Sequence, residues 1–287
     1  MSAVYGHKNV VEFRTHQLKP FKQLFDSIKN KLPDTSFLFT KTGLKIAQYD
    51  AATTFLVDVR LDADNFEHYY FDESSGKTVH DINLSAAHLN QVFKCVTKDD
   101  TIFAFWFTEN PTEVTVMFEN DKKNETRKFE IPVQNPDEDI QLGQIDNLEG
   151  YEYSLSMPSA DLNRICKELK TMECEKVQIL HDRSSLYFKS NPRKNSTSTV
   201  KTTIVRKGSI GGEETTTKFD KVPEREGSIY SDTFKFSTLY EFSKSQSGGD
   251  NKIVRIYLKN NEPLILHYEI GTLGEMHVAL ATYADLN

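Results

Sequence analysis

The apolar positions of this chain fall mostly in short runs, which alternate with polar positions and are separated by turn residues. The clearest pair of runs covers residues 37–39 and 44–47, joined across Gly43, where glycine can adopt a positive φ. Three further pairs have the same form: residues 101–107 with 113–118, 177–180 with 186–188, and 253–258 with 264–268. Alternation with a period of two between turn signals predicts antiparallel hairpins with one packed face.

Four segments have a helical period instead. They cover residues 21–29, 86–94, 160–169 and 238–244. The last three follow the serines Ser85, Ser159 and Ser237, and serine is a favoured N-cap because its hydroxyl accepts an orphan backbone N–H. The helices recur at similar spacing, which indicates a unit of one short helix and several strands used four times.

An acidic stretch with two prolines divides the chain into halves of similar content. We predict an N-terminal domain over residues 1–130, a connector over 131–150 and a C-terminal domain over 151–287. Residues 191–227 are rich in Ser, Thr, Lys, Gly and Glu, and only 202–205 resemble a strand, so we predict a partly mobile insertion there. The expected fold class is α+β, with antiparallel sheets and short helices.

Composition narrows the function classes. The 287 residues are 38% hydrophobic and 27% charged, which is enough apolar material for a core. No run approaches the roughly 18 apolar residues that span a bilayer, and the first residues lack the apolar region of a secretory signal. Three cysteines are expected to be reduced intracellular thiols. The net charge of −7 counts against a simple nucleic-acid coat, but it does not say where the charges lie.

Candidate chemistry is sparse. The eight histidines and three cysteines have no metal-ligand spacing, and no glycine-rich phosphate loop occurs. No nucleophile, base and orienting group come together. We therefore expect no catalytic residues, no metal and no cofactor, and we do not expect an enzyme.

Basic residues on the helices are more informative. The candidate DNA-binding residues are Lys22, Lys29, Lys94, Arg164, Lys167 and Lys244. On a single helix, such positions are typical of an ordinary solvated face. Their recurrence on four repeat-related helices leaves a second interpretation open, in which they track a phosphate backbone without reading sequence.

Several segments resemble one family in combination and in order. Residues 157–169 resemble the helix that opens the second domain of proliferating cell nuclear antigen, the eukaryotic DNA sliding clamp. Residues 43–50 running on to 55–57, residues 89–95 with Asp99 and Asp100, and residues 262–270 with Gly274 and residues 280–281 are also similar to that family. The resemblance extends from about Val11 to the end of the chain.

The resemblance implies a DNA-clamp fold of two similar domains, each built from two strand-and-helix repeats. Copies of the chain would close into a homotrimeric ring, with sheets outside and the helix cations facing duplex DNA. The pairing strands between copies would be residues 113–118 and 199–206. The implied function is that of a processivity factor, which tethers DNA polymerase and other replication and repair proteins without DNA sequence specificity. The resemblance also implies that a clamp loader is a partner and that no membrane is. It implies a location in the nucleus or at a cytoplasmic viral replication site.

The resemblance further implies a pocket beneath the connector, where partner proteins dock a short peptide. Its lining would be Tyr49, Thr54, Leu56, Leu142, Ile145, Pro263, Ala279 and Ala281. Gln23 and Gln91 replace lysines common in the family, and residues 279–282 replace its usual Tyr-Leu-Ala-Pro ending. Such divergence is typical of a clamp from a large DNA virus or a divergent eukaryote.

Two alternatives keep other functions open. One is a clamp-like polymerase accessory subunit that forms no ring, or a checkpoint-type clamp. The other is a β-rich interaction module without a role on DNA.

Overall fold

The structure is a computed structural model that describes residues 9–135, 141–192, 201–209, 217–223, 229–245 and 252–284. Within these ranges the helices are α1 (Leu18–Ile28), α2 (Ala86–Lys94), α3 (Ser159–Thr171) and α4 (Phe236–Ser243). All four predicted helices are therefore confirmed, with shifts of a few residues at their ends. None of the helices in these ranges is long and apolar enough to cross a bilayer.

Strands make up most of the remaining structure. The first nine are β1 (Asn9–Thr15), β2 (Asp34–Thr40), β3 (Gly43–Tyr49), β4 (Phe55–Asp62), β5 (His68–Phe71), β6 (Val79–Ser85), β7 (Ile102–Thr108), β8 (Glu113–Asn120) and β9 (Glu125–Pro132). The others are β10 (Tyr153–Pro158), β11 (Cys174–His181), β12 (Ser185–Pro192), β13 (Thr203–Lys207), β14 (Lys218–Lys221), β15 (Tyr230–Lys235), β16 (Ile253–Leu258), β17 (Leu264–Ile270) and β18 (Gly274–Leu280). The four predicted hairpins are confirmed as the antiparallel pairs β2–β3, β7–β8, β11–β12 and β16–β17.

The described residues pack as two compact units. Unit 1 contains the described residues of the ranges 1–48, 58–142 and 269–276. Unit 2 contains the described residues of the ranges 49–57, 143–268 and 277–287. Strands β4 and β18 each supply residues to both units, so the units do not follow sequence order. The boundaries 1–130, 131–150 and 151–287 remain a prediction.

Unit 1 combines helices α1 and α2 with two sets of antiparallel strands, in the orders β5-β1-β7-β8-β9 and β6-β2-β3-β4. Its core is dominated by phenylalanine. Phe13, Phe21 and Phe103 are almost fully buried, and their ring centroids lie 4.9–5.8 Å apart. At the β2–β3 turn, Gly43 has φ 138°, and a Cβ there would lie 2.0 Å from the Leu61 carbonyl oxygen. The predicted positive φ of Gly43 at this turn is thereby confirmed.

Unit 2 repeats the arrangement with helices α3 and α4 and the strand orders β13-β12-β11-β15 and β14-β10-β16-β17-β18. Tyrosines replace several of the phenylalanines in its core, and Tyr153, Tyr230 and Tyr268 are fully buried. One helix pair per unit, set against antiparallel strands, confirms the predicted α+β class and its repeated strand-and-helix unit.

The helix entries are only partly as predicted. Ser85 caps α2, because its hydroxyl accepts a hydrogen bond of 3.4 Å from the His88 backbone N–H. The predicted caps Ser159 and Ser237 are wrong, since α3 begins at Ser159 after Pro158 and α4 begins at Phe236 after Lys235. In both cases the preceding strand runs directly into the helix, so its last residue occupies the N-cap position.

The prediction that residues 113–118 form a sheet edge is wrong. Strand β8 pairs with β7 on one side and with β9 on the other, so β9 is the outer strand of that sheet in the described part of the chain. The antiparallel meander β7–β8 continues into β9, a strand that the apolar runs of the sequence did not indicate. For the predicted edge at 199–206, residues 203–206 lie in β13, the outer described strand of its sheet, whereas 199 and 200 lie outside the described residues.

The predicted insertion contains two strands, β13 and β14, and β14 pairs with β10 of the core. The part for which mobility was predicted falls mainly on residues 193–200, 210–216 and 224–228, which lie outside the described residues. From β14, Phe219 reaches the core of unit 2 and packs edge-on against His181 at 4.4 Å between ring centroids.

His181 is the buried titratable group under this strand. Its ring is fully buried between Phe219 and Tyr153, and its Nδ1 accepts a hydrogen bond of 3.0 Å from the Arg183 backbone N–H. Burial lowers the pKa of His181 to about 4, and the neighbouring Asp182 opposes this shift only in part. Neutral imidazole is therefore the form compatible with the folded unit.

We expect the free energy of unfolding to fall as the pH is lowered from 6.5 towards 4. In this interval the unfolded chain protonates His181 and the folded chain does not, which gives a slope of about 1.4 kcal/mol per pH unit for this group. The variant His181→Asn keeps an acceptor for the Arg183 N–H and removes the titration. Urea unfolding across this interval should therefore give a shallower pH dependence for the variant. His267, whose pKa is also lowered to about 4, contributes equally in both proteins, so equal slopes would contradict the prediction.

Candidate DNA interface and partner pocket

On α1 and α2 the candidate cations lie beside a buried apolar stripe. Lys22 is half-buried on α1, Lys29 is the C-cap residue of α1, and Lys94 is the exposed last residue of α2. The stripe consists of Leu18, Phe21, Leu24, Phe25 and Ile28 on α1, with Ala86, Leu89 and Phe93 on α2. Because the stripe must face the core, the cations are left on the accessible side of each helix.

The same division holds on α3 and α4. Arg164 and Lys167 are exposed on α3, and Lys244 is the exposed C-cap residue of α4. The buried face carries Leu162, Ile165, Cys166 and Leu169 on α3, and Phe236, Leu239 and Phe242 on α4. Sequence periodicity thus located these cations correctly on exposed or half-buried helix positions, whereas their role on DNA remains a prediction.

Three of the six cations have an acidic neighbour on their own helix. Lys29 Nζ lies 2.6 Å from Asp26, Lys244 Nζ lies 2.9 Å from Glu241, and Arg164 lies 2.5 Å from Glu168. Exposed pairs of this kind contribute only about 0–1 kcal/mol each. No acidic side chain of the described residues lies within ion-pair distance of Lys22, Lys94 or Lys167. The helix faces therefore carry positive charge that is moderated locally.

Part of the predicted pocket lining packs together in unit 2, while its role as a peptide pocket remains a prediction. Leu56, Ile265 and Ala279 form a buried apolar cluster, against which Tyr49 and Ile145 pack. Ile265 comes from β17 and was not predicted. Four of the predicted lining residues, Tyr49, Leu56, Ile145 and Ala279, are thus brought together.

Gly143 holds the connector against this cluster. A Cβ at Gly143 would lie 2.5 Å from Cε2 of Tyr49 and 2.9 Å from Cδ1 of Leu56. Those distances are far below van der Waals contact, so a larger residue at position 143 would have to displace the Tyr49 and Leu56 side chains or the connector.

The other predicted lining residues have different surroundings. Thr54 is held by Asp50, whose carboxylate accepts hydrogen bonds from the Thr54 N–H at 2.6 Å and from its hydroxyl at 2.8 Å. The Thr54 carbonyl in turn accepts a hydrogen bond from the Ala281 N–H at 3.1 Å. Leu142 belongs to unit 1, where it bridges to Gln48, and it is 50% exposed.

Two tyrosines that were not predicted also pack against the apolar cluster, Tyr151 and Tyr257. The Tyr151 hydroxyl donates a hydrogen bond of 3.0 Å to the carbonyl of Pro263, a predicted lining residue, and its ring meets Tyr257 edge-on at 6.2 Å. Burial raises the pKa of Tyr151 to about 12, so this hydroxyl remains a donor at neutral pH. Tyr151 and Tyr257, together with Leu148 and Lys221, line a cavity of about 320 Å³. Tyr257 was not singled out from the sequence, because it alternates with buried positions on β16, as an outward-facing residue does.

Reactive thiols do not form part of either site. None of the three cysteines forms a disulfide in the described residues, and burial raises the pKa of the Cys166 thiol to about 12. Its low thiolate fraction makes Cys166 a packing residue of α3.

These features define a class of protein: a two-unit DNA-clamp fold with basic helix faces and a buried apolar cluster against which Ile145 and Leu148 pack. The model of the proliferating cell nuclear antigen N-terminal domain matches residues 10–141, and the model of its C-terminal domain matches residues 144–283. The chain therefore belongs to the proliferating cell nuclear antigen family.

Relatives along nearly the whole chain agree with this assignment. A protein of Paramecium bursaria Chlorella virus 1 named "Probable DNA polymerase sliding clamp 1" is 25% identical over 269 residues, which cover 93% of this chain and 95% of that protein. "Proliferating cell nuclear antigen 2" of Drosophila melanogaster is 24% identical over 277 residues, covering 95% and 97%. The crystal structure of the Entamoeba histolytica antigen matches with a TM-score of 0.79 at 16% identity, covering 96% of this chain and 99% of that one, and supports the fold.

Substitution of Gly143 tests the close packing of the connector. We expect Gly143→Ala to displace residues 143–148 from Tyr49 and Leu56. The backbone amides of residues 143–148 should then exchange their hydrogens faster. Gly150→Ala is the matched control, because a Cβ at Gly150 meets only Asn147, at an ordinary distance of 3.5 Å. Equal protection of the connector in the two variants would show that Gly143 is not required for this packing.

Proposed function

We propose that the chain acts as a DNA sliding clamp, a processivity factor that encircles duplex DNA and tethers DNA polymerase and other replication or repair proteins. The observation that carries this proposal is the match of both halves of the chain to the two domains of one clamp family. The names of the viral and eukaryotic relatives support the same role. In this role the chain needs no catalytic residues, because it acts by topology and tethering.

The six helix cations would contact the phosphate backbone. Ammonium and guanidinium groups attract phosphates of any sequence, so these contacts orient the clamp without creating a preferred stopping point. The ion pairs of Lys29, Arg164 and Lys244 support a loose contact, since phosphate must compete there with Asp26, Glu168 and Glu241. Moderate attraction suits a protein that has to slide.

Ring closure would use the outer strands of two copies. Strand β9 of one copy and β13 of the next would pair through backbone hydrogen bonds, and three such contacts would close a homotrimer. Both are outer strands in the described part of their sheets, and Val205 on β13 is 46% exposed. Pairing would also protect edges that otherwise favour aggregation.

Clients would dock a short peptide on the apolar cluster around Leu56, Ile265 and Ala279. Tyr151 and Tyr257 supply aromatic surface beside it, which supports binding of apolar and aromatic anchors. A clamp loader is expected to open the ring. We expect the protein at sites of DNA replication, either nuclear or viral.

The DNA interface can be tested with the three cations that have no acidic neighbour. We expect the triple variant Lys22→Ala, Lys94→Ala, Lys167→Ala to bind duplex DNA more weakly and to reduce polymerase processivity. The slope of log K against log salt concentration should fall by about 0.9 for each phosphate that the variant no longer neutralises. Fluorescence anisotropy over a salt series measures this slope.

A triple variant with the same reduction in charge provides the control. Lys41, Lys122 and Lys259 lie in turns between strands, so their replacement by alanine should leave the slope unchanged. If both triple variants behave alike, the helix faces have no special role, and the β-rich interaction module becomes the better interpretation.

The ring can be tested at β13. We expect wild-type protein to sediment as a trimer at micromolar concentration and Val205→Asp to dissociate it, because the carboxylate would be desolvated in the contact between copies. Val79→Asp changes an exposed valine of β6 and should leave the trimer intact. A monomeric wild-type protein in analytical ultracentrifugation would instead favour the clamp-like accessory subunit that forms no ring.

A further inference from the structure

A lysine–tyrosine–lysine cluster joins α3 and α4 on their accessible side. Lys170 Nζ lies 4.6 Å from the centroid of the Tyr240 ring and 3.5 Å from its hydroxyl oxygen, to which it donates a hydrogen bond. Lys244 Nζ lies 4.1 Å from the same ring centroid. Two ammonium groups on different helices are thus held at one half-buried tyrosine. Neither Lys170 nor Tyr240 belongs to the predicted DNA-binding set.

Unit 1 contains a related arrangement at corresponding positions. Aligning the buried stripes of α1 and α3 sets Lys29 against Lys170, and aligning α2 with α4 sets Asn90 against Tyr240. In unit 1 the Asn90 amide oxygen accepts a hydrogen bond of 3.2 Å from Lys29 Nζ. In both units, therefore, a polar side chain of the second helix holds a lysine from the end of the first. A further lysine lies four positions after each of these polar side chains: Lys94 after Asn90, and Lys244 after Tyr240.

The two arrangements differ in charge. In unit 1, Asp26 accepts hydrogen bonds from both Lys29 and Asn90, each of 2.6 Å, and neutralises the lysine. The α3 position that corresponds to Asp26 carries Lys167, which is exposed. In unit 2, Lys244 pairs with Glu241 at 2.9 Å. The lysine that the second helix holds is therefore paired with an acidic residue in unit 1, where Asp26 contacts Lys29, whereas no described acidic side chain lies within ion-pair distance of Lys170 in unit 2.

We propose that Lys170, Tyr240 and Lys244 form a phosphate-binding cluster on the α3–α4 face. This proposal rests on the proposed clamp function and adds two residues to its DNA-facing set. A phosphodiester oxygen accepts hydrogen bonds from the ammonium groups and from the tyrosine hydroxyl. The ring orients both lysines in advance by cation–π attraction, so less side-chain entropy is lost on binding. Tyr240 is thus a positioning residue as well as a donor.

Tyrosine substitution separates this role from simple charge. We expect Tyr240→Ala to weaken binding of a short duplex DNA by about threefold, although the formal charge is unchanged, because the ring no longer holds the two ammonium groups in place. Tyr240→Phe keeps the ring and should retain most of the affinity. Tyr70→Ala removes a tyrosine ring from β5, away from the helices, and as the control it should bind as wild type.

Lysine substitution and coupling complete the test. We expect Lys170→Ala to lower the salt slope by about 0.9, and the double variant Lys170→Ala, Tyr240→Ala to lose less affinity than the sum of the two single changes. If Lys170→Ala and Tyr240→Ala bind as wild type while the Lys22, Lys94, Lys167 triple variant is weakened, the cluster is refuted and the clamp proposal stands. If none of these helix variants alters binding, the DNA interface itself is refuted.

Discussion

The burial of one apolar stripe on each helix is the constraint on which the rest of the structure depends. Phe21 and Phe25 on α1 and Leu162 and Ile165 on α3 must face the aromatic cores, so the rotation of each helix is fixed. Burying side chains of this size stabilises the fold by about 1.5–3 kcal/mol each, more than any exposed ion pair contributes. Once the apolar stripe of a helix faces the core, the opposite side of that helix is the accessible side. Basic residues there are positioned by the core beneath them.

The charges on that side are arranged for moderation. Asp26, Glu168 and Glu241 lie one helical turn from the cations they pair with, while Lys22, Lys94 and Lys167 have no such acidic neighbour in the described ranges. A net charge of −7 is compatible with local positive faces, because the total does not describe placement. The pocket follows a different rule. There, close packing matters more than charge, because the backbone at Gly143 lies directly on the side chains of Tyr49 and Leu56.

Features set by neighbouring residues could be predicted from the sequence, and features set by distant residues could not. The hairpins, the four helices and the positive φ of Gly43 follow from local periodicity and turn chemistry. The cap assignments at Ser159 and Ser237 failed because α3 and α4 begin earlier than predicted, so that Pro158 and Lys235 occupy the N-cap positions. The outer position of β9 depends on the pairing order of a whole sheet. Tyr151 and Tyr257 meet across the fold, and nothing local to either residue signals their contact.

The insertion has a consequence for engineering of the chain. Phe219 is 2% exposed, packs on His181, and lies where a Cβ on Gly208 would touch its ring at 2.5 Å. Strand β14 is therefore a structural part of unit 2, even though it lies within a segment of loop-like composition. A shortened chain could omit residues between β13 and β14 only if it kept Gly208 and the strand that carries Phe219. A deletion that removed the whole insertion would open the aromatic core to water.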